Sequence, residues 1–141
     1  MKTKLIGYWA TTAILAFVLL SGGAAQLAHR PENVEGMAHL GYPLYFMTIL
    51  GIWKLPGGIA LLAPRFPLLK EWAYAGIFFE LTGAAASHAV RGDGAAHIIW
   101  PLIFAGLAVA SWGLRPQSRS LGVLFPPECV RRLVAQAGSW R

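Results

Sequence analysis

Four long apolar stretches constrain what this chain can fold into more than any other feature. An α-helix rises about 1.5 Å per residue, so roughly 20 apolar residues cross the ~30 Å hydrocarbon core of a bilayer. The first stretch covers residues 5–28 without a charge, and the second, residues 42–63, is interrupted only by Lys54. The third, residues 72–90, contains Glu80 and His88, and the fourth, residues 95–114, carries His97 near its start. The connections, residues 29–41, 64–71 and 91–94, hold turn or charge signals. The expectation is an all-α, polytopic membrane four-helix bundle over residues 1–115, followed by a tail, residues 116–141.

Composition supports a membrane setting. Charged residues make up 13% of the chain and hydrophobic ones 56%, whereas a soluble domain carries about 25% charged residues to cover its surface. The net charge of +6 would elsewhere suggest nucleic acid. Here the basic residues crowd the ends of apolar runs and the tail, which is the pattern of membrane topology. The expected partner is the lipid bilayer, and no nucleic acid. Cys129 is the single cysteine, so neither an intrachain disulfide nor C-x-x-C chemistry is available, which removes dithiol oxidoreductases.

Lys2 and Lys4 before the first stretch, and Gly22-Gly23-Ala24-Ala25 near its end, resemble a signal peptide. Signal cores run about 7–15 residues, so the longer segment reads as a retained first helix. Orientation follows from lysine and arginine. Nine of them (Lys2, Lys4, Arg65, Lys70, Arg115, Arg119, Arg131, Arg132, Arg141) fall on one side, against Arg30 and Arg91 on the other. The excess predicts both termini on the cytoplasmic side of a bacterial inner membrane. Tyr8, Trp9, Trp72, Tyr74 and Trp112 are expected at the inner boundary, and Tyr42, Tyr45 and Trp100 at the outer one. In the tail, Pro126-Pro127 precedes a stripe of Val130, Leu133, Val134 and Ala137 beside Arg131 and Arg132. It reads as an amphipathic segment on the inner surface or as a disordered tail.

Lys54 and Glu80 are the sharpest chemical signal. A charge near a helix centre costs about 2.5–3.5 kcal/mol on insertion scales, so it faces the bundle interior and takes a partner. Lys54 lies nine residues before Ala63 and Glu80 eight after Trp72, which is about 13 and 12 Å of helix from the same boundary. On adjacent antiparallel helices the two charges meet at one depth. At 100° per residue Gly51, Gly57 and Gly58 share the Lys54 face, and Gly76, Gly83, Ala84 and Ser87 the Glu80 face; Phe78, Phe79 and Leu81 point towards lipid. Pro56 removes a backbone hydrogen bond beside Lys54. Two readings follow: an ion pair that only fixes helix register, or a polar pocket. In the pocket reading Lys54 and Glu80 are the catalytic candidates, and Lys54, Glu80, Trp53, Ser87, His88 and His97 the ligand-binding ones.

His29, His39, His88 and His97 all map to the outer half or the external connections, near Glu32, Glu35 and Asp93. No spacing matches a metal motif such as H-E-x-x-H, so no metal ligand is assigned. A proton-exchanging outer vestibule or plain interfacial histidines are favoured over haem or a metal. Gly106, Ala110 and Gly113 form a small-residue stripe on the fourth helix, suited to packing inside the bundle or to a dimer face.

Several strings together resemble the DoxX-like family of small bacterial membrane proteins. They are Tyr8-Trp9, Ser21-Gly22, Leu40-Gly41-Tyr42-Pro43, Gly51-x-Trp53-Lys54 and Lys70-Glu71-Trp72-Ala73-Tyr74-Ala75-Gly76. The resemblance covers residues 5–114 and leaves the tail outside. It implies a four-helix membrane bundle and, through the thiosulfate:quinone oxidoreductase subunit that gives the family its name, a membrane component near quinone or redox chemistry; it assigns no residue a role. The leading expectation is a redox-associated, quinone- or lipophilic-ligand-binding membrane component, with quinone as candidate cofactor. The alternatives are a membrane-embedded isomerase or hydrolase using Glu80 as general acid or base, and a non-enzymatic scaffold or assembly factor. A homo-oligomer or a membrane-complex partner is compatible with each.

Overall fold

The computed structural model describes residues 2–120, and they are helical nearly throughout: α1 Lys2–Leu27, α2 Pro31–Leu40, α3 Leu44–Leu62, α4 Pro67–Arg91, α5 Ala95–Gly113 and a 3-10 turn, Gln117–Arg119. The expected tail helix lies outside the described residues. Three helices, α1, α3 and α5, are long and apolar enough to cross a membrane. Helix α4 is longer than two of them, at 25 residues. Its middle is interrupted by Tyr74, Glu80, Thr82, Ser87 and His88, which leaves it less apolar than the other three.

The first connection is corrected by the structure: residues expected to be a loop include the ten-residue helix α2. Pro31 supplies a pre-set φ in its first turn and Glu32 a charge suited to a helix start. Gly41 stops it in the left-handed conformation, φ 83°, where the N–H groups of Gly41 and Tyr42 donate to the carbonyls of Ala38 and Met37. These are ordinary start and stop signals, obscured by a polar composition. At about 15 Å, α2 is too short to span. The second connection also shrinks, because α4 begins at Pro67. Lys70 and Glu71 therefore belong to a helix.

The long helices pack in the cyclic order α3, α1, α5, α4, and the α3–α4 seam that closes the ring is the loosest. The α1–α3 seam is tight because glycines face it. A Cβ built on Gly51 would sit 2.9 Å from Leu27, and one on Gly58 2.9 Å from Leu20. Such close approach gains dispersion contacts, the main attraction between helices once lipid has replaced water. Leu15, Leu19, Leu61, Tyr74, Ile77 and Ala108 form the core, with Leu81 packed against it. The lipid-facing expectation for Leu81 is thus corrected. Tyr8 and Tyr74, expected as boundary aromatics, have their rings buried in the bundle. A hydroxyl relay ties three helices together: Ser111 on α5 lies 2.8 Å from both Thr12 on α1 and Tyr74 on α4. The stripe of Gly106, Ala110 and Gly113 faces outward, while α5 buries Ala105, Ala108 and Ser111.

Lys70 is fully buried. Its ammonium reaches back across the turn and donates to the carbonyls of Ala60, Leu61 and Ala63 at the end of α3. The last carbonyls of a helix have no partner within it and carry partial negative charge, which a lysine satisfies on both counts. Arg119 donates to Leu61 and Leu62 in the same region and lies 4.4 Å over the Trp9 ring.

Candidate cleft between the second and third long helices

The loose seam between α3 and α4 encloses a cleft of ≈ 340 Å³. Its floor includes Leu19 and Ile77 of the core, and its walls include Trp53, Pro56, Trp72 and Gly76. Gly57 and Gly76 lie in the lining with no heavy atom within 4 Å of where a Cβ would be. The missing side chains keep the cleft wide. The charged groups in the lining are Lys54 and Glu80, whose Nζ and Oε1 atoms lie 2.7 Å apart.

Each charge is positioned by its helix. Lys54 sits mid-way along α3, with its Cβ against Gly23 of α1, so α1 supports the stem from behind while the ammonium crosses to α4. Glu80 sits near the middle of α4, one turn beyond Gly76. Their side chains are 17% and 24% exposed, so the pair lines the cleft without being sealed in. The medium around such a pair is less polar than water, where attraction is stronger and an unpaired charge is costlier. Trp53 and Trp72 are 72% and 67% exposed. They stand beside the cleft where it opens on the flank of the helices.

The other candidate residues belong elsewhere. Ser87, His88 and His97 do not line the cleft; they belong to a polar cluster near the α4–α5 turn. Asp93 is its hub, accepting from His39 Nε2–H at 2.7 Å and from His88 Nδ1–H at 2.6 Å. Those bonds, His88 first, hold the Asp93 carboxyl below its ordinary pKa of 3.8. The His88 and His97 rings are 5.4 Å apart, and Ser87 pairs with the Tyr42 hydroxyl at 2.8 Å. His29 pairs with Thr48 at 3.0 Å. The cluster fastens α2 to α4. Among the described residues no group of three or more histidine, cysteine, aspartate or glutamate side chains is placed to hold a metal ion.

Sequence reasoning missed Lys70, Arg115 and Asp93 as organising groups. Arg115 Nη2 donates to Glu71 at 2.7 Å, and Trp112 Nε1–H donates to the same carboxylate at 2.8 Å. In the sequence Lys70 counts only towards orientation, and Glu71 enters only within the family-like string Lys70-Glu71-Trp72. The available signal was spacing: Lys70 and Glu71 follow a proline that opens a helix.

The chain matches the family model described as the DoxX-like family over residues 10–111. It is similar to the uncharacterized protein YdgD of Bacillus subtilis (strain 168), at 35% identity over 75 residues, 53% of this chain and 65% of that protein. The chain thus covers slightly less than two thirds of the length of that relative. No solved structure matches it. Every residue that lines the cleft, the Lys54–Glu80 pair included, falls within the matched segment, and on that match the chain belongs to the DoxX-like family of membrane proteins.

Proposed function

We propose that this protein is a redox-associated component of a bacterial inner membrane that binds a lipophilic small molecule of the quinone class in the α3–α4 cleft. The observation that carries the reading is an apolar cleft whose charged lining is one ion pair, Lys54–Glu80. Ligand pockets combine an apolar wall, which holds most of the molecule, with a few polar groups that orient it. Trp53 and Trp72 offer flat faces for a ring, and Lys54 offers N–H donors to its oxygen.

The same reading has four spans, α1, α3, α4 and α5, with both termini cytoplasmic. Residues 1–115 form the bundle and residues 116–141 a cytoplasmic tail. At about 37 Å, α4 is long enough to cross. Lys70 and Glu71 lie in its first two turns and Arg91 at its end, so Glu80 is the one charge left at depth, and it pairs with Lys54. The surplus of basic residues at the termini and the 63–66 turn supports this orientation.

The test uses protein purified from membranes in mild detergent. Organic extraction should recover quinone, and a short-chain quinone should quench tryptophan fluorescence saturably. Lys54→Met should weaken that binding about tenfold, the size expected for a lost hydrogen bond to a charged group. A quinone-free extract together with quenching that never saturates would end the proposal.

A further inference from the structure

The Lys54–Glu80 pair uses only part of its hydrogen-bonding capacity. An ammonium has three N–H donors, and a carboxylate has two acceptor oxygens. Among the described residues, the 2.7 Å contact between Nζ and Oε1 is the one polar side-chain contact that either group makes. Two N–H groups and Oε2 are left to the cleft. A group suited to both must accept from the ammonium and donate to the carboxylate. A hydroxyl is the smallest group that does so. A carbonyl only accepts, and would leave Oε2 desolvated without a donor, which costs more than the missing bond alone.

The shape of the cleft adds a second requirement. Its ≈ 340 Å³ lies at the low end of ordinary ligand pockets, about 300–1,000 Å³, so it holds a ring and little more. Trp53 is near the middle of α3 and 72% exposed, and Trp72 is 67% exposed. The opening between α3 and α4 therefore faces sideways off the helices, and in a membrane that direction is the acyl chains. A long apolar tail can leave through this opening and stay in the lipid.

From these observations we infer that the cleft selects amphiphiles with a hydroxyl-bearing head, and that within the quinone class it binds the reduced quinol in preference to the quinone. The inference rests on the quinone-class reading of the cleft and adds to it the form that is bound. Lys54 donates to the quinol oxygen, the quinol O–H donates to Glu80 Oε2, and the ring rests on the apolar lining of the cleft.

The experiment compares decyl-hydroquinone, its dimethyl ether and decyl-benzoquinone by anaerobic titration calorimetry on the full chain in detergent. The hydroquinone should bind about tenfold more tightly than either of the others, because only it offers a donor to a charged acceptor. In a Lys54→Met/Glu80→Met double variant, which removes both charges together and so leaves neither unpaired, the preference should fall to less than about twofold. If wild type binds all three equally, water serves the free donors and acceptor, and the quinol preference is overturned while the binding site stands. If none binds saturably, the quinone-class reading falls and this inference falls with it.

Discussion

Gly23 on α1 lies so close to Lys54 on α3 that a Cβ at position 23 would sit 2.9 Å from the Lys54 Cβ and 3.2 Å from the Gly51 carbonyl oxygen. The candidate site is thus propped from behind by the absence of a side chain on a helix that contributes only Leu19 to the cleft wall.

Gly23→Ala should therefore damage both packing and ligand binding. Overpacking of this kind costs about 1–3 kcal/mol, because the nearest atoms are a side-chain stem and backbone, which yield little. Thermal unfolding in detergent should show the loss, and quinone titration should show weaker binding as α3 is displaced. Gly106→Ala is the control, since nothing lies within 4 Å of its Cβ position. Equal melting temperatures for the two variants would show that the α1–α3 seam absorbs the methyl.

Charge reversal tests the ion pair. Lys54→Glu alone places two carboxylates side by side in a weakly polar setting, and breaking a buried pair typically costs about 3–5 kcal/mol; partial exposure of both side chains puts the expectation below that range. Lys54→Glu combined with Glu80→Lys should restore most of the loss in a folding assay such as detergent size-exclusion recovery. A double variant no better than the worse single one would mean that the two groups do not interact across the seam.

Ser111→Ala removes the centre of the hydroxyl relay and leaves Thr12 and Tyr74 each short of a partner. Polar contacts between membrane helices average about 0.6 kcal/mol and reach about 1.7, so a loss of roughly 1 kcal/mol is expected. Thr82→Val should be near neutral by comparison, because that hydroxyl bonds carbonyls of its own helix. Identical stabilities for the two variants would remove the relay as a tie between helices.

Acid should loosen the clasp between α2 and α4. Hydrogen bonds from His88 and then His39 hold the Asp93 carboxyl below its ordinary value of 3.8. A carboxyl depressed in the folded state contributes stability that is complete above the unfolded value and is lost as pH falls through the folded one. The melting temperature should drop on acidification below pH 3.8. Asp93→Asn should melt lower at neutral pH and show a shallower drop. Parallel curves for the two proteins would show that the clasp adds nothing.

The apolar runs were legible because each is a property of consecutive residues. The Lys54–Glu80 meeting was legible because helical rise converts residue number into depth. Helix α2 was missed although Pro31 and Gly41 mark its ends, since its polar composition masked a pattern only ten residues long. The burial of Leu81, Tyr8 and Tyr74 was not legible, because the side of a helix that faces protein depends on where its neighbours stand. Asp93 and Lys70 were missed as hubs because their partners, such as His39 and the carbonyl of Ala60, come from other helices.

The sequence alone determined that this chain is built of long apolar helices with one lysine and one glutamate at matching depth, because hydrophobicity and helical rise act along the chain. The tertiary structure decided that α1 and α3 close tightly over glycines while α3 and α4 stay apart. That difference turns the ion pair into the lining of a cleft. It arises from side-chain volumes meeting across different helices, and spacing along one chain does not carry that information.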